Sequence, residues 1–461
     1  MNQTALDLTD YYLQLFSDHS DYIDYCVETA ADILSKFSDI TDLSDHLDQV
    51  NAHEHLNELE NPRHVVQLDK NELTTGDYIK TWKCIAEGRL FTEHTLAGEA
   101  TRLKLGTKYL INISEDLSLS DITHRINREN SAAVSEEFIR MQLCCDPSEL
   151  LPLSLGIRHM LQYAYDIYNL SKLLGYDPEE VLSKQKMLIV LNETSADIII
   201  EEFVKHRFYG FSRENVYFMV QRSYHGINVK DKKVFYDYSS PRRLHNHGHI
   251  AIQQTMTHEI FRINEKKWRS YISHHRFGRI LDKMEVKVTY NIEDLDYLNR
   301  SLDYEAIALA IKKGREGYHM VMEVLPNNPD NPQKGGMAAY DPVLEKDVII
   351  ESFQLNGINP HEIQFINKNI NYYPNPYTAW ETVKNQGIHL PLAVKNGYLY
   401  FQPVIGDINF LVKTAIFTRR QALPIKAWKS IVHTPLAVNC MYVQDAQKGF
   451  SEFANRFVNL S

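Results

Sequence analysis

A chain of 461 residues can bury a large core, and by size alone it allows roughly two to three domains. Its ordinary apolar and charged content fits a globular protein, and a net charge of -11 argues against a general nucleic-acid or acidic-membrane binder, since neutralising phosphates takes a surplus of Lys and Arg. No run approaches the roughly 20 apolar residues that span a bilayer. The N-terminus lacks the basic and apolar regions of a signal peptide, and five cysteines without a C-x-x-C pair fit reduced thiols, so a cytoplasmic protein is expected.

Residues 1 to 62 are acidic, with Lys36 the one Lys or Arg. Leu13, Phe16, Tyr22, Tyr25, Val27, Ala30, Ile33, Leu34 and Phe37 recur at helical spacing, which predicts an amphipathic helical segment ending at the Asn61-Pro62 break. Its acidic face is either simply solvated or a surface for a protein partner. The chain divides on this reading into an acidic helical segment at 1–85, an α/β domain at 86–430 and a tail at 431–461. Within Leu96–Lys108, a small-residue turn at Ala97 and Gly98 precedes Thr101, Arg102 and Lys108. Exposed backbone N–H groups beside Arg and Lys suit a polyphosphate, although a plain turn before an amphipathic segment has the same look. Cys144-Cys145 reads as a structural pair at a helix end.

Met187–Leu191 is a short apolar run typical of a buried strand, followed by a helix over 196–206 and a strand over 215–220. Further strands are predicted at 284–290, 318–324, 347–354 and 397–401. Strands alternating with helices argue for a layered α/β domain with a largely parallel or mixed sheet, whose ligands sit outside the carboxyl ends of the strands. His245, His247 and His249 alternate, so on a strand they would share one face at zinc-ligand spacing; a His-rich loop is the other reading. Glu293 and Asp294 follow the strand predicted at 284–290, where an acidic pair can hold Mg²⁺ with substrate phosphates, or form an exposed acidic turn. Asn327–Gly336 is a turn-rich loop, a hairpin insertion or an active-site flap. There is no G-x-S-x-G, H-E-x-x-H or complete P-loop.

The order of these segments resembles the UDP-sugar pyrophosphorylase family, the UTP–hexose-1-phosphate uridylyltransferases of eukaryotic type, from about residue 90 to about 430. The stretch Ala97-Gly98-Glu99-Ala100-Thr101-Arg102-Leu103 with Lys108 is similar to the family's glycine-rich opening, although Ala97 and Ala100 stand where glycines are usual. Gln221 ends a strand where the family places a glutamine near the uracil edge; on its own it is also an ordinary strand-end polar residue. Leu244-His-Asn-His-Gly-His-Ile250 is similar to a Gly-His-Gly loop, with His247 and Gly248 in place and His249 where Asp is usual. Asn291-Ile-Glu-Asp-Leu295 resembles Asn-x-Asp-Asn-Leu. Glu351 and Phe365-Ile-Asn-Lys-Asn-Ile370 resemble a sugar-binding element, and Arg419–Lys426 a phosphate-binding one.

The resemblance implies a divergent member with a Rossmann-like, glycosyltransferase-A-type nucleotidyltransferase domain built on a mixed, mainly parallel sheet. It assigns Arg102, Lys108 and Lys426 to catalysis, and Ala97, Gly98, Thr101, Gln221, His247 and Gly248 to the nucleotide. Glu351, Asn367 and Asn369 fall to the sugar, and Glu293 and Asp294 to Mg²⁺. The implied reaction joins UTP and a sugar 1-phosphate: a sugar phosphate oxygen attacks the α-phosphorus and pyrophosphate leaves. Two anions must meet, so the work is positioning and charge neutralisation. A catalytically weak or inactive relative that binds a sugar nucleotide, or modifies a protein acceptor, is the alternative.

Overall fold

The computed structural model describes residues 20–68, 72–98, 103–129, 133–330, 332, 335–420 and 426–460. Its frame is a 12-stranded sheet. From one edge, ten strands lie in the order Val65–Leu68, Thr414–Arg419, Met320–Pro326, Phe365–Pro374, Val286–Asn291, Leu90–Thr95, Lys186–Asn192, Val216–Gln221, Ile260–Ile263 and Arg269–Ile272. The hairpin of Met337–Asp341 and Lys346–Ile350 attaches to Phe365–Pro374 through Met337 and Ile366. The first three strands and the four from Val286–Asn291 to Val216–Gln221 all point the same way, with Phe365–Pro374 inserted antiparallel between the two groups. The sheet is therefore mixed and mainly parallel, and the α/β fold class holds.

Lys186–Asn192 shows why. Met187, Ile189 and Leu191 face one apolar core, while Leu188 and Val190 face another. A strand covered on both sides needs apolar residues at every position, which is why it reads as a continuous run rather than an alternation. One face is covered by the helix Leu155–Leu174, which starts on a Ser154 cap and ends at Gly175 with φ 74°. The other is covered by Ile250, Phe277 and Trp380 from three shorter helices. All five cysteines are free thiols.

Two expected boundaries do not separate independently packed units. Val65–Leu68 pairs in register with Thr414–Arg419, so the main sheet begins well before residue 86. A helix over 20–34 buries Tyr22, Cys26, Ala30 and Leu34 against Tyr224, Ile227, Leu399 and Phe401. Its acidic residues face outward, and Cys26 rather than Tyr25 takes the inward position. The expected tail also docks: Phe450 and Phe453 join the main core, and the buried Arg158 guanidinium donates to Asp445 Oδ1 at 2.5 Å. The predicted strand at 397–401 forms as Tyr398–Phe401, but in a separate four-stranded sheet with Leu392–Lys395, Ile227–Lys230 and Lys233–Tyr236. No helix among the described residues is long and apolar enough to cross a membrane.

Candidate active site

Val286–Asn291 and Leu90–Thr95 run parallel, with Asn291 opposite Thr95, so both chains leave the sheet at the same edge. A cavity of about 320 Å³ opens there, lined by Glu93, Thr95, His247, Glu293, Asp294, Glu351, Asn367 and Asn369 among others. Six of the residues singled out in the sequence thus share one space outside the carboxyl ends of the strands, where α/β sheets place ligands.

The turn after Asn291 is fixed by its own polar groups. Asn291 Oδ1 accepts from the Glu293 N–H at 3.1 Å, and Asp294 Oδ1 accepts from the Asp296 N–H at 3.0 Å. Backbone then meets backbone: the Leu295 N–H donates to the Lys426 carbonyl at 2.8 Å, and the Trp428 N–H to the Glu293 carbonyl at 2.9 Å. This docking brings two distant cations to the acidic turn. Lys426 Nζ lies 3.1 Å from Asp296 Oδ1, and Lys429 Nζ lies 3.9 Å from Glu293 Oε1. The hydrogen bond to Asp296 holds the Lys426 ammonium above its ordinary value.

A third cation arrives from the first motif. The Lys108 N–H donates to the Gly98 carbonyl at 3.2 Å, and Lys108 Nζ, nearly buried, donates to Glu293 Oε2 at 2.7 Å. The Ala97 carbonyl accepts from Asn192 Nδ2 at 2.9 Å, tying the same turn to the neighbouring strand end. Thr101 and Arg102 lie outside the described residues. Burial, and then Asp296, pushes the Asp294 carboxyl up to about 6. Glu293, Asp294 and Asp296 offer hard oxygen donors at one wall of the cavity, a donor type that suits Mg²⁺ shared with phosphate oxygens.

The opposite wall comes from Phe365–Pro374. Opposite the step from Met322 to Val324, the partner jumps from Asn371 to Asn367, so Phe365–Pro374 bulges between them. Asn369, in that bulge, has φ 60°, a left-handed conformation that Asn adopts more readily than most residues. A bulge re-aims side chains. Here Asn367 Nδ2 donates to Asn369 Oδ1 at 2.8 Å and reaches Glu351 Oε1 at 3.4 Å. Burial, and then Asp407, pushes the Glu351 carboxyl up to about 7. The result is a fixed array of amide and carboxyl groups in a cavity wall, the chemistry that pairs with hydroxyls.

The histidine loop departs from the strand geometry that a shared zinc face required. Leu244 ends a two-residue strand, and a helix begins at His249. His245 Nδ1 meets the Tyr22 hydroxyl at 2.9 Å, His249 Nε2 meets the Tyr224 hydroxyl at 2.9 Å, and His247 Nδ1 accepts from the Ile405 N–H at 3.1 Å. The three rings serve three different partners, and only His247 lines the cavity. Gly248 is explained by protein rather than ligand: a Cβ there would lie 2.4 Å from Pro403 C and Val404 N, and its N–H donates to the Pro403 carbonyl at 2.9 Å. Gln221 does not line the cavity; its buried amide donates to the Asn246 carbonyl at 2.6 Å and so braces the loop that carries His247.

Sequence reading missed Glu93, Asp296, Lys429 and Asn371, all of which line the cavity. Glu93 lies in the middle of a central strand, and its Oε2 accepts from Gln254 Nε2 at 2.6 Å and Lys287 Nζ at 3.1 Å. Glu93 Oε1 and Asn371 Oδ1 are buried acceptors with no partner among the described residues. Glu93 stands among Thr92, His94 and Thr95, so nothing local in the sequence marks it as buried; Asp296 and Lys429 lie within three residues of groups already singled out.

No family model matches the sequence, and no curated protein does. Solved structures do match the fold. A uridine diphosphate N-acetylglucosamine pyrophosphorylase from Trypanosoma brucei, solved with an inhibitor, is 13% identical, with 86% of this chain and 75% of that one covered at a TM-score of 0.57. A single-residue variant of UDP-glucose pyrophosphorylase from Leishmania major is 13% identical, with 90% and 78% covered at a TM-score of 0.51. The chain has the fold of the UDP-sugar pyrophosphorylases.

Proposed function

We propose that the protein transfers UMP from UTP to a sugar 1-phosphate, giving a UDP-sugar and pyrophosphate. The observation that carries this reading is the convergence of Lys108 and Lys426 on an acidic turn that faces Glu351, Asn367 and Asn369 across one cavity. Lys108 and Lys426, with Arg102, would neutralise the triphosphate and the sugar phosphate so that the two anions approach in line. Electrostatic placement of this kind supplies most of the acceleration in phosphoryl and nucleotidyl transfer. Glu293 and Asp294 would hold Mg²⁺, whose chemistry is charge neutralisation on phosphate oxygens. Six carboxylates line the cavity against the cations Arg300, Lys368 and Lys429, so a polyanion needs that added positive charge. His247, with Ala97, Gly98 and Thr101, would meet the nucleotide, and Gln221 and Gly248 would position the His247 loop. Glu351, Asn367 and Asn369 would accept from and donate to sugar hydroxyls.

The test is pyrophosphate release from UTP with Mg²⁺ and a panel of hexose 1-phosphates. Turnover that disappears in Lys426→Ala supports transfer. A second reading is favoured by one contact: the Lys108 ammonium is already paired with Glu293. If binding does not break that pair, the chain holds a UDP-sugar without turnover, or serves a protein acceptor, and tight UDP-sugar binding with no pyrophosphate released would establish it.

A further inference from the structure

Away from the cavity, the segment after the helix Leu47–Val50 carries His53-Glu54-His55. Both rings turn onto one carboxylate oxygen. His53 Nε2 lies 2.9 Å from Asp341 Oδ2, and His55 Nδ1 lies 3.0 Å from the same atom. All three candidate ligand atoms fall within 4.8 Å of one another. None of these residues lines the active-site cavity.

The surroundings hold the three groups in place. Asp341 Oδ1 accepts from the Val343 and Leu344 N–H groups at 2.9 and 3.0 Å, which leaves Oδ2 aimed at the two rings. The His53 ring stacks on Phe410 at 5.2 Å, and the His53 backbone N–H donates to the Gln354 carbonyl at 3.0 Å. Asp341 is fully buried, and among the described residues the groups within ion-pairing distance of it are the two imidazoles. The nearby Lys346 ammonium is spent on the carbonyls of Asn409, Phe410 and Val412. A buried carboxylate facing two imidazole nitrogens, with its second oxygen anchored by backbone, is the pattern of a ligand set oriented by an outer shell.

We propose that His53 Nε2, His55 Nδ1 and Asp341 Oδ2 form a zinc site, with water in the fourth position. Zinc bonds of about 2.0–2.2 Å to imidazole nitrogen and carboxylate oxygen need ligand atoms about 3.3–3.5 Å apart; both nitrogens lie 2.9 and 3.0 Å from Oδ2 and all three atoms lie within 4.8 Å, so a shift of a few tenths of an ångström admits the ion. Two nitrogens of three donors select zinc over Mg²⁺ or Ca²⁺, which take oxygen shells. Bound there, the ion staples the N-terminal segment to the hairpin Met337–Asp341 and Lys346–Ile350. That hairpin leads into Glu351 and pairs with Ile366 beside Asn367, so the ion braces the sugar wall from behind.

The test uses the full chain, stripped with a chelator, reloaded with ZnCl₂ and freed of unbound ion by gel filtration. Elemental analysis should find about one zinc per chain, and Co²⁺ in its place should give the visible absorption of a tetrahedral site. In His53→Ala and His55→Ala both signals should fall to background. The His55 side chain is half-buried, against a nearly buried His53, so the His55 variant disturbs the fold less; circular dichroism confirms that each variant is folded. Wild-type protein without retained zinc, variants that keep as much zinc as wild type, or retention of Mn²⁺ or Fe²⁺ in preference to zinc would each overturn the assignment.

Discussion

The two walls of the cavity are built on opposite principles. At the wall proposed for the phosphates, the carboxylates of the acidic turn are met by cations that stand just outside the cavity lining: Lys108 with Glu293, Lys426 with Asp296. At the wall proposed for the sugar, Asn367 and Asn369 of a bulged strand are tied with Glu351 into a short hydrogen-bonded array. The first must exchange partners when a polyanion enters, because each ammonium is already paired. The second is preformed and asks for no charge rearrangement. Under the proposed transfer, affinity for the sugar would be set by fixed geometry, and turnover by how readily the ion pairs open.

The largest effect that sharpens this contrast falls on the phosphate wall. Lys108→Ala and Lys426→Ala should each lower kcat by about 10²–10³, the usual cost of one preorganised electrostatic donor, with little change in KM for the sugar phosphate. An equal loss in KM alone would break the division of labour. Next comes Gly248→Ala. Its Cβ has no room against Pro403 and Val404, and chemical denaturation should show a loss of about 1–3 kcal/mol. A neutral outcome would mean that the loop carrying His247 is free to shift.

Glu351→Gln probes the sugar wall through pH. The folded carboxyl keeps its proton up to about 7, against an ordinary 4.5. A raised carboxyl pKa stabilises the fold fully below pH 4.5 and loses that contribution as pH rises toward 7, because the unfolded chain releases the proton first. The glutamine variant does not titrate. Its stability relative to wild type should rise between about pH 4.5 and 7 by on the order of 3 kcal/mol and then level off. A difference that stays flat across that window would show that Glu351 is an ordinary hydrated carboxylate. The smallest effect belongs to Gln221→Ala. Losing one buried hydrogen bond to the histidine loop should cost about 1 kcal/mol in thermal unfolding, without changing which nucleotides are bound. A switch in base preference would put the amide back at the nucleotide.

Local features of the fold were legible in the sequence. Met187–Leu191 and the helix that follows it formed where apolar runs and spacing placed them, because both signals arise from burial of contiguous residues. Long-range pairing was not legible. Nothing in Val65–Leu68 announces that its partner is Thr414–Arg419, and the docked segment at 431–460 carries no local mark of its contact with Leu155–Leu174. In the site, residue type outperformed geometry. Glu293, Asp294, Glu351, Asn367, Asn369 and His247 share the cavity as read from motif order. Gln221 and Gly248 carry the right residue types but spend them on protein contacts, which only the packed loop reveals. The alternating histidines would share one face only on a strand; the chain instead forms a loop that runs into a helix at His249, and their rings part.

Titration calorimetry of UDP-hexoses into the wild-type chain and into Glu351→Gln and Lys426→Ala, with Mg²⁺ present, addresses the shared cavity without depending on turnover. At least one UDP-hexose should bind at one site per chain, with affinity lower in both variants although they alter opposite walls. Absence of binding across the panel, or binding untouched by either substitution, would contradict a single sugar-nucleotide site between these two walls.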